Sequence, residues 1–136
     1  VIVVDTSIIS YLIISGDHTL QARAVFRKDP EWVAPLLWRS EFRNVLALYL
    51  RKEYLTLEDA IGLMDAGDQV MKGGEFEVRS NDVLKLASTS HCSAYDCEFV
   101  ALAKDLGVPL VTTDQKLLNA FPPIAKSPEE FIKVSA

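Results

Sequence analysis

Cysteine is nearly absent from this chain: Cys92 and Cys97 are the whole supply in 136 residues. With 49% of its residues hydrophobic, a chain of this length can bury a sizeable core without covalent staples, so free, mostly buried thiols are expected. Long apolar runs are missing too. No stretch approaches the roughly 18 residues of a membrane span, and the first apolar run, Val1 to Val4, follows no basic segment and is broken by Asp5, unlike a secretory leader. The expectation is a cytoplasmic protein without a membrane contact. Positive charge is also short. Fourteen Lys and Arg against nineteen Asp and Glu give a net charge of -5, which disfavours a protein that grips nucleic acid through a broad basic surface. That objection weakens if four of the acids surround divalent cations, because the remainder is then close to neutral. Glycine-rich phosphate loops, internal repeats, low-complexity runs and linkers are absent as well, which leaves a single domain over 1–136 as the expected organisation.

What the chain does have is two short apolar runs, each leading to a carboxylate. Val1, Ile2, Val3 and Val4 run into Asp5, Thr6 and Ser7, and Val108, Pro109, Leu110 and Val111 run through Thr112 and Thr113 into Asp114. β-Branched runs without alternation predict strands buried on both faces, as in a parallel sheet flanked by helices on both faces, an α/β fold. Ligands bind such open sheets at the carboxyl ends of the strands, so the two aspartates are expected to converge there.

Between these runs the spacing predicts a helix through Ile8, Ile9, Leu12 and Ile13, another over Thr19–Lys28, a strand over Glu31–Pro35 and a long helix from about Leu37 to Lys52. Thr56 and Asp59 predict a capping box, with the helix running to about Met71 before Gly73 and Gly74. Phe76, Glu77 and Val78 predict a strand, and Ser80 or Asn81 the cap of the next helix. Ser93 and Asp96 predict a second capping box, whose helix ends at Gly107, and further helices are expected at Gln115–Ala120 and from Ser127.

Two more acids stand at positions their neighbours mark as inward. Glu41 shares a helical stripe with Leu37, Val45 and Leu48, and Asp96 shares one with Phe99, Val100 and Ala103. A half-buried carboxylate is costly unless it is paired, hydrogen-bonded or bound to metal, and a shared cation would satisfy both. Each acid also has a plainer reading. Asp5 and Asp114 fit helix N-caps, Asp96 fits the third position of its capping box, and Glu41 fits a helix edge paired with Arg39 or Arg43.

Hydrophobic strand then Asp5-Thr6-Ser7, Ser40-Glu41 on a helix, Tyr95-Asp96 opening an Ala-rich helix with Ala101-Leu102-Ala103, and Leu110-Val111-Thr112-Thr113-Asp114 together resemble the PIN domain, and most nearly the VapC-type ribonuclease toxins. The resemblance runs from Asp5 to about Phe131. It implies a divalent-metal-dependent endoribonuclease that hydrolyses RNA phosphodiesters, with Asp5, Glu41, Asp96 and Asp114 as catalytic acids and Mg²⁺ or Mn²⁺ ligands. Ser7 and Thr112 would support them. Apart from the resemblance, Arg43 is by default an ordinary solvated charge and a candidate phosphate contact.

An all-oxygen donor set with no imidazole or thiol suits such an ion. The resemblance further implies a small antitoxin protein as partner and a homodimer. A PIN nuclease of RNA maturation or decay, and a non-catalytic PIN-like module that only binds RNA or protein, are the alternatives. Ile8, Ile9, Tyr11, Leu12, Ile13 and Ile14 make the first helix apolar on more than one stripe, and either a second chain or a neighbouring helix would cover the excess.

Overall fold

A strand that buries every residue needs cover on both faces, and β1 (Ile2–Val4) buries all three of its side chains. The computed structural model describes residues 1–133. In chain order the elements that follow β1 are α1 (Thr6–Ile13), α2 (Thr19–Lys28), β2 (Trp32–Pro35), α3 (Leu37–Arg51) and α4 (Leu57–Val70). After these come β3 (Glu75–Phe76), α5 (Ser80–Ser90), α6 (Ala94–Leu106), β4 (Leu110–Val111), α7 (Gln115–Ala120), β5 (Ala125–Lys126) and α8 (Pro128–Lys133). The strands form one five-stranded sheet, parallel throughout, in the order β3-β2-β1-β4-β5.

The order explains the layers. From β1 the chain steps outward to β2 and β3, then crosses back to β4 on the other side of β1 and steps out again to β5. Right-handed crossovers put the first set of helices on one face and the later set on the other. Accordingly α1 packs on α2, α3 and α4, while α5 packs on α6, which lies against β1, β2 and β4. The central core holds Val3, Val4, Ile8, Trp38, Phe42, Phe99 and Leu110, all buried.

Local chemistry accounts for most boundaries. Thr56 and Asp59 complete their capping box, and Ser127 exchanges bonds with Glu130, accepting from its amide at 3.1 Å. Gly107 ends α6 in the left-handed conformation at φ 68°. Gly74 meets a harder constraint, since a Cβ there would lie 2.2 Å from the Trp32 carbonyl oxygen.

Four expectations are corrected. β3 covers Glu75–Phe76 rather than Phe76 to Val78, because the Ala34 amide bonds the Gly74 carbonyl and the Leu36 amide that of Phe76. Arg79, not Ser80 or Asn81, is the N-cap of α5, and no side chain caps it. β5 was not foreseen: two residues behind Pro122 and Pro123 carry no strand period, and pairing with β4 alone creates it. The core face of α3 is Trp38, Phe42 and Leu46, one residue on from the anticipated stripe, so Leu37, Glu41 and Val45 lie along its flank and Leu48 is exposed. Cys92 and Cys97 are free and buried, as expected. The excess apolar surface of α1 meets neighbouring helices: Ile8 and Ile9 are fully buried, and Tyr11, Leu12, Ile13 and Ile14 pack partly buried against the core.

Candidate active site

β1 and β4 are adjacent but are reached by crossovers running in opposite directions, so a crevice opens beyond their carboxyl ends. Asp5 follows β1, and Thr112, Thr113 and Asp114 follow β4. The flank of α3 brings Glu41 to the same place, and the first turn of α6 brings Asp96. These four acids line one cleft of about 340 Å³, with Thr6, Ser7, Ser10, Val45, Phe99 and Thr113 completing its walls.

Each carboxylate is fixed by groups of its own neighbourhood. Asp5 caps α1, accepting from the Ile8 amide at 3.2 Å and from the Ser7 hydroxyl at 2.7 Å through Oδ1, while the buried Thr112 hydroxyl donates to Oδ2. Thr112 in turn accepts from the Asp114 amide at 3.0 Å, and Asp114 caps α7 by accepting from the Lys116 amide at 2.9 Å. Glu41 accepts from the Thr6 hydroxyl at 2.6 Å. At α6, Ser93 accepts from the Asp96 amide at 3.0 Å, yet the return bond that closes the Thr56 box is not formed, and the Asp96 carboxylate faces the cleft instead. The capping readings of Asp5, Asp96 and Asp114 therefore hold in the same molecule that gathers these acids. The pairing of Glu41 with Arg39 or Arg43 does not occur: Arg39 is engaged by Glu75 and Asp68, and Arg43 is exposed and outside the residues lining the cleft.

Burial and mutual repulsion set the electrostatics. Burial pushes the Asp5 carboxyl above its usual range, opposed by the Thr112, Ser7 and Ile8 donors and reinforced by Asp114. Glu41 is raised chiefly by burial, against the Thr6 bond, with Asp96, Asp5 and Glu98 adding to the rise. Asp96 is raised by burial and then by Asp114, with Ser93 and Lys116 opposing. No ion pair reaches any of the four among the described residues.

The donor set is therefore all oxygen, acidic and short of cations, which fits a hard divalent ion. Among the described residues no three Asp, Glu, His or Cys side chains come close enough to form a ready cage.

Sequence reasoning missed Thr6, Thr113 and Glu98. Thr6 has a legible signal, since a hydroxyl directly after Asp5 starts the helix facing α3. Glu98 has none, because its proximity to Glu41 depends on how α3 and α6 lie across the sheet edge.

Comparison with known structures finds the same fold at low identity. The crystal structure of PAE2754 from Pyrobaculum aerophilum is 20% identical with a TM-score of 0.76, the match covering 96% of this chain and 92% of that one. FitAcB from Neisseria gonorrhoeae is 16% identical with a TM-score of 0.75 over 95% of this chain and 99% of that one. A toxin-antitoxin complex from Klebsiella pneumoniae is 16% identical with a TM-score of 0.69, over 94% and 98%. Among curated proteins none matches the chain in sequence. The PIN domain family model matches residues 2–121, a span that takes in β1 to β4, the acidic cleft and all four of its carboxylates, and the chain belongs to the PIN domain family.

Proposed function

We propose that this chain is a divalent-metal-dependent endoribonuclease and the toxin of a toxin-antitoxin pair. PIN domains are generally nucleases that use divalent metals, so family membership supports the reaction class. The observation that carries the reading is the cleft itself, where four carboxylates converge at one sheet edge and none makes an ion pair among the described residues. A surface built only to bind RNA gains nothing from concentrating negative charge opposite phosphate. The likeness in fold to the Klebsiella pneumoniae toxin-antitoxin complex supports the toxin assignment over RNA maturation or decay.

In this reading Asp5, Asp96 and Asp114 hold Mg²⁺ or Mn²⁺, directly or through water, with Glu41 as a further ligand or as the group that orients the attacking water. The ion, when bound, supplies an activated water and neutralises charge on the scissile phosphate and leaving oxygen. The chain's own residues supply orientation. Ser7, Thr112 and the Ile8 amide hold both oxygens of Asp5, so that its free lone pairs face the cleft without reorganisation. Thr6 does the same for Glu41. Burial raises the proton affinity of Glu41, the direction expected of a group that takes a proton from water.

The single domain, a homodimer and a small inhibitory protein with a basic segment complete the reading, since an arginine or lysine from a partner suits an acidic cleft. The test is cleavage of single-stranded RNA with Mg²⁺ or Mn²⁺ and its loss in excess EDTA. Persistent cleavage in EDTA, with contaminating nuclease excluded, rejects the metal mechanism. Hydrolysis of DNA but not RNA rejects the substrate.

A further inference from the structure

The first two turns of α6 separate two cavities. Asp96 and Phe99 face the acidic cleft, whereas Ala94 and Glu98 face a second cavity of about 460 Å³. This cavity opens at the same end of the sheet, because Leu36 follows β2 and Phe76 ends β3, and Leu84 and Val83 of α5 close its other side. Its apolar walls are uncovered, with Leu84 62% exposed, Leu36 45% and Phe76 36%, and Glu77, Ser80 and Glu98 are the polar members of the lining. Into this apolar space projects the half-buried Glu98, whose carboxylate has no hydrogen bond or ion pair among the described residues. It lies near enough to Glu41 for the two charges to repel, so a ligand seated here extends naturally toward the scissile phosphate.

Resting on the reading of the neighbouring cleft as an RNA nuclease site, we propose that this cavity binds one unstacked guanine base of the RNA strand beside the cut, with Glu98 accepting from its Watson–Crick edge. Apolar walls that include the exposed Phe76 suit a splayed-out base, the usual target of sequence-specific RNA recognition. The half-buried Glu98 carboxylate then selects among bases, whereas Glu77 is exposed. Guanine presents two adjacent donors, the N1 hydrogen and the 2-amino group, which match the two oxygens of one carboxylate and give a charge-assisted bidentate pair. Adenine and cytosine offer one amino group each, and uracil one ring N–H. Phosphate is repelled by Glu98, so the strand enters base first. A second copy of the chain is a poorer occupant. It would bury Glu98 and the nearby Glu77 against another acidic surface, a cost that only a matching cation could offset.

Fluorescence anisotropy tests this with single-stranded RNA octamers of uridine carrying one guanosine, inosine or adenosine, in Ca²⁺, alongside cleavage of the same probes in Mg²⁺ and Mn²⁺. The guanosine probe is expected to bind about tenfold tighter than the inosine probe, which lacks the 2-amino group. Glu98→Gln should bring the two within twofold of each other while the variant melts with parent cooperativity. Leu84→Ala should weaken the guanosine probe relative to all-uridine RNA. Probes that bind within twofold of one another in the parent, or a guanine preference that survives Glu98→Gln, overturn the proposal. So does a dimer dispersed by Leu84→Arg, which would make the cavity a face between copies. Cleavage without base preference removes the pocket and leaves the nuclease, whereas guanine preference without cleavage removes the nuclease and leaves the pocket.

Discussion

Helix α3 touches two acidic environments, and they are opposites. At its first turn Trp38 donates to Glu75 at 2.8 Å, and Arg39 grips the same carboxylate through Nε and, at 2.8 Å, through Nη2. Arg39 also lies 3.7 Å from Asp68. The bond from Arg39 holds Glu75 below its usual range. A few residues on, Glu41 has only a threonine hydroxyl and three other acids for company, and its carboxyl is pushed up by burial first. Two arginines lie within reach along the helix, and neither serves it: Arg39 turns to β3 and Arg43 to solvent. Among the described residues the cleft acids make no ion pair, with only Lys116 acting on Asp96 from a distance, while a full ion pair stands next door. One carboxylate is structural, tying α3 to β3, whereas the cleft acids make no ion pair among the described residues.

Replacing cleft acids should break the contrast most sharply. Asp5→Asn and Asp114→Asn are each expected to lower RNA cleavage by about 100-fold or more, measured with a fluorogenic single-stranded substrate in Mn²⁺. Asp96→Asn should be as inactive, yet without metal it should melt at or above the parent temperature, because it removes a repelled, half-buried charge. Metal should then raise the melting temperature of the parent more than that of the variant. Asn variants that melt far below the parent without metal would make these acids caps and nothing more.

Gly74→Ala attacks the paired region instead. A methyl 2.2 Å from the Trp32 carbonyl oxygen must push β3 away from β2, an overpacking cost of about 1–3 kcal/mol read by urea denaturation. A variant of unchanged midpoint would show that β3 yields freely. Glu75→Gln should cost less, a melting temperature lower by a few degrees at neutral pH, because Arg39 is partly solvated and screened. Glu75 has a folded pKa below its ordinary 4.5, so its contribution is complete above that value and is lost as pH falls through the folded one. The parent and Glu75→Gln should therefore converge in strong acid.

The smallest effect expected is the pH response of the cleft, and it has the opposite sign. Asp5, Glu41 and Asp96 have folded pKa values above their ordinary 3.8 or 4.5, so between those limits the native state binds more protons than the unfolded chain. Their penalty is full above the folded values and is relieved as pH falls through them. In EDTA the protein should melt a few degrees higher near about pH 5 than near about pH 7.5, and Mg²⁺ should shrink the difference. A melting temperature that rises steadily with pH in EDTA would contradict the burial of these acids.

Much of this is legible in the sequence, for local reasons. The capping box at Thr56 and Asp59, the apolar period over Thr19–Lys28 and the Ser7 hydroxyl beside Asp5 act within a few residues of themselves, and each forms as written. The failures are equally local in origin. The stripe that was to bury Glu41 is one residue off the core face of α3, because one turn of helix cannot tell a buried face from its flank when Leu37, Val45 and Leu48 stand among other apolar residues. β5 exists only because β4 offers it an edge.

The sequence by itself determined the class of fold and the identity of the acids. Unalternating apolar runs admit only doubly covered strands, and carboxylates directly after them must sit at strand ends. Tertiary structure alone decided which groups share a space. Asp5 and Asp114 are linked through Thr112 because β1 pairs with β4, a contact over 107 residues that no local period encodes. Arg39 is withheld from Glu41 because β3 delivers Glu75 to it first. Side-chain period fixes which way a residue faces on its own element, whereas the charge of a site depends on which elements meet, and that is settled by packing the whole sheet at once.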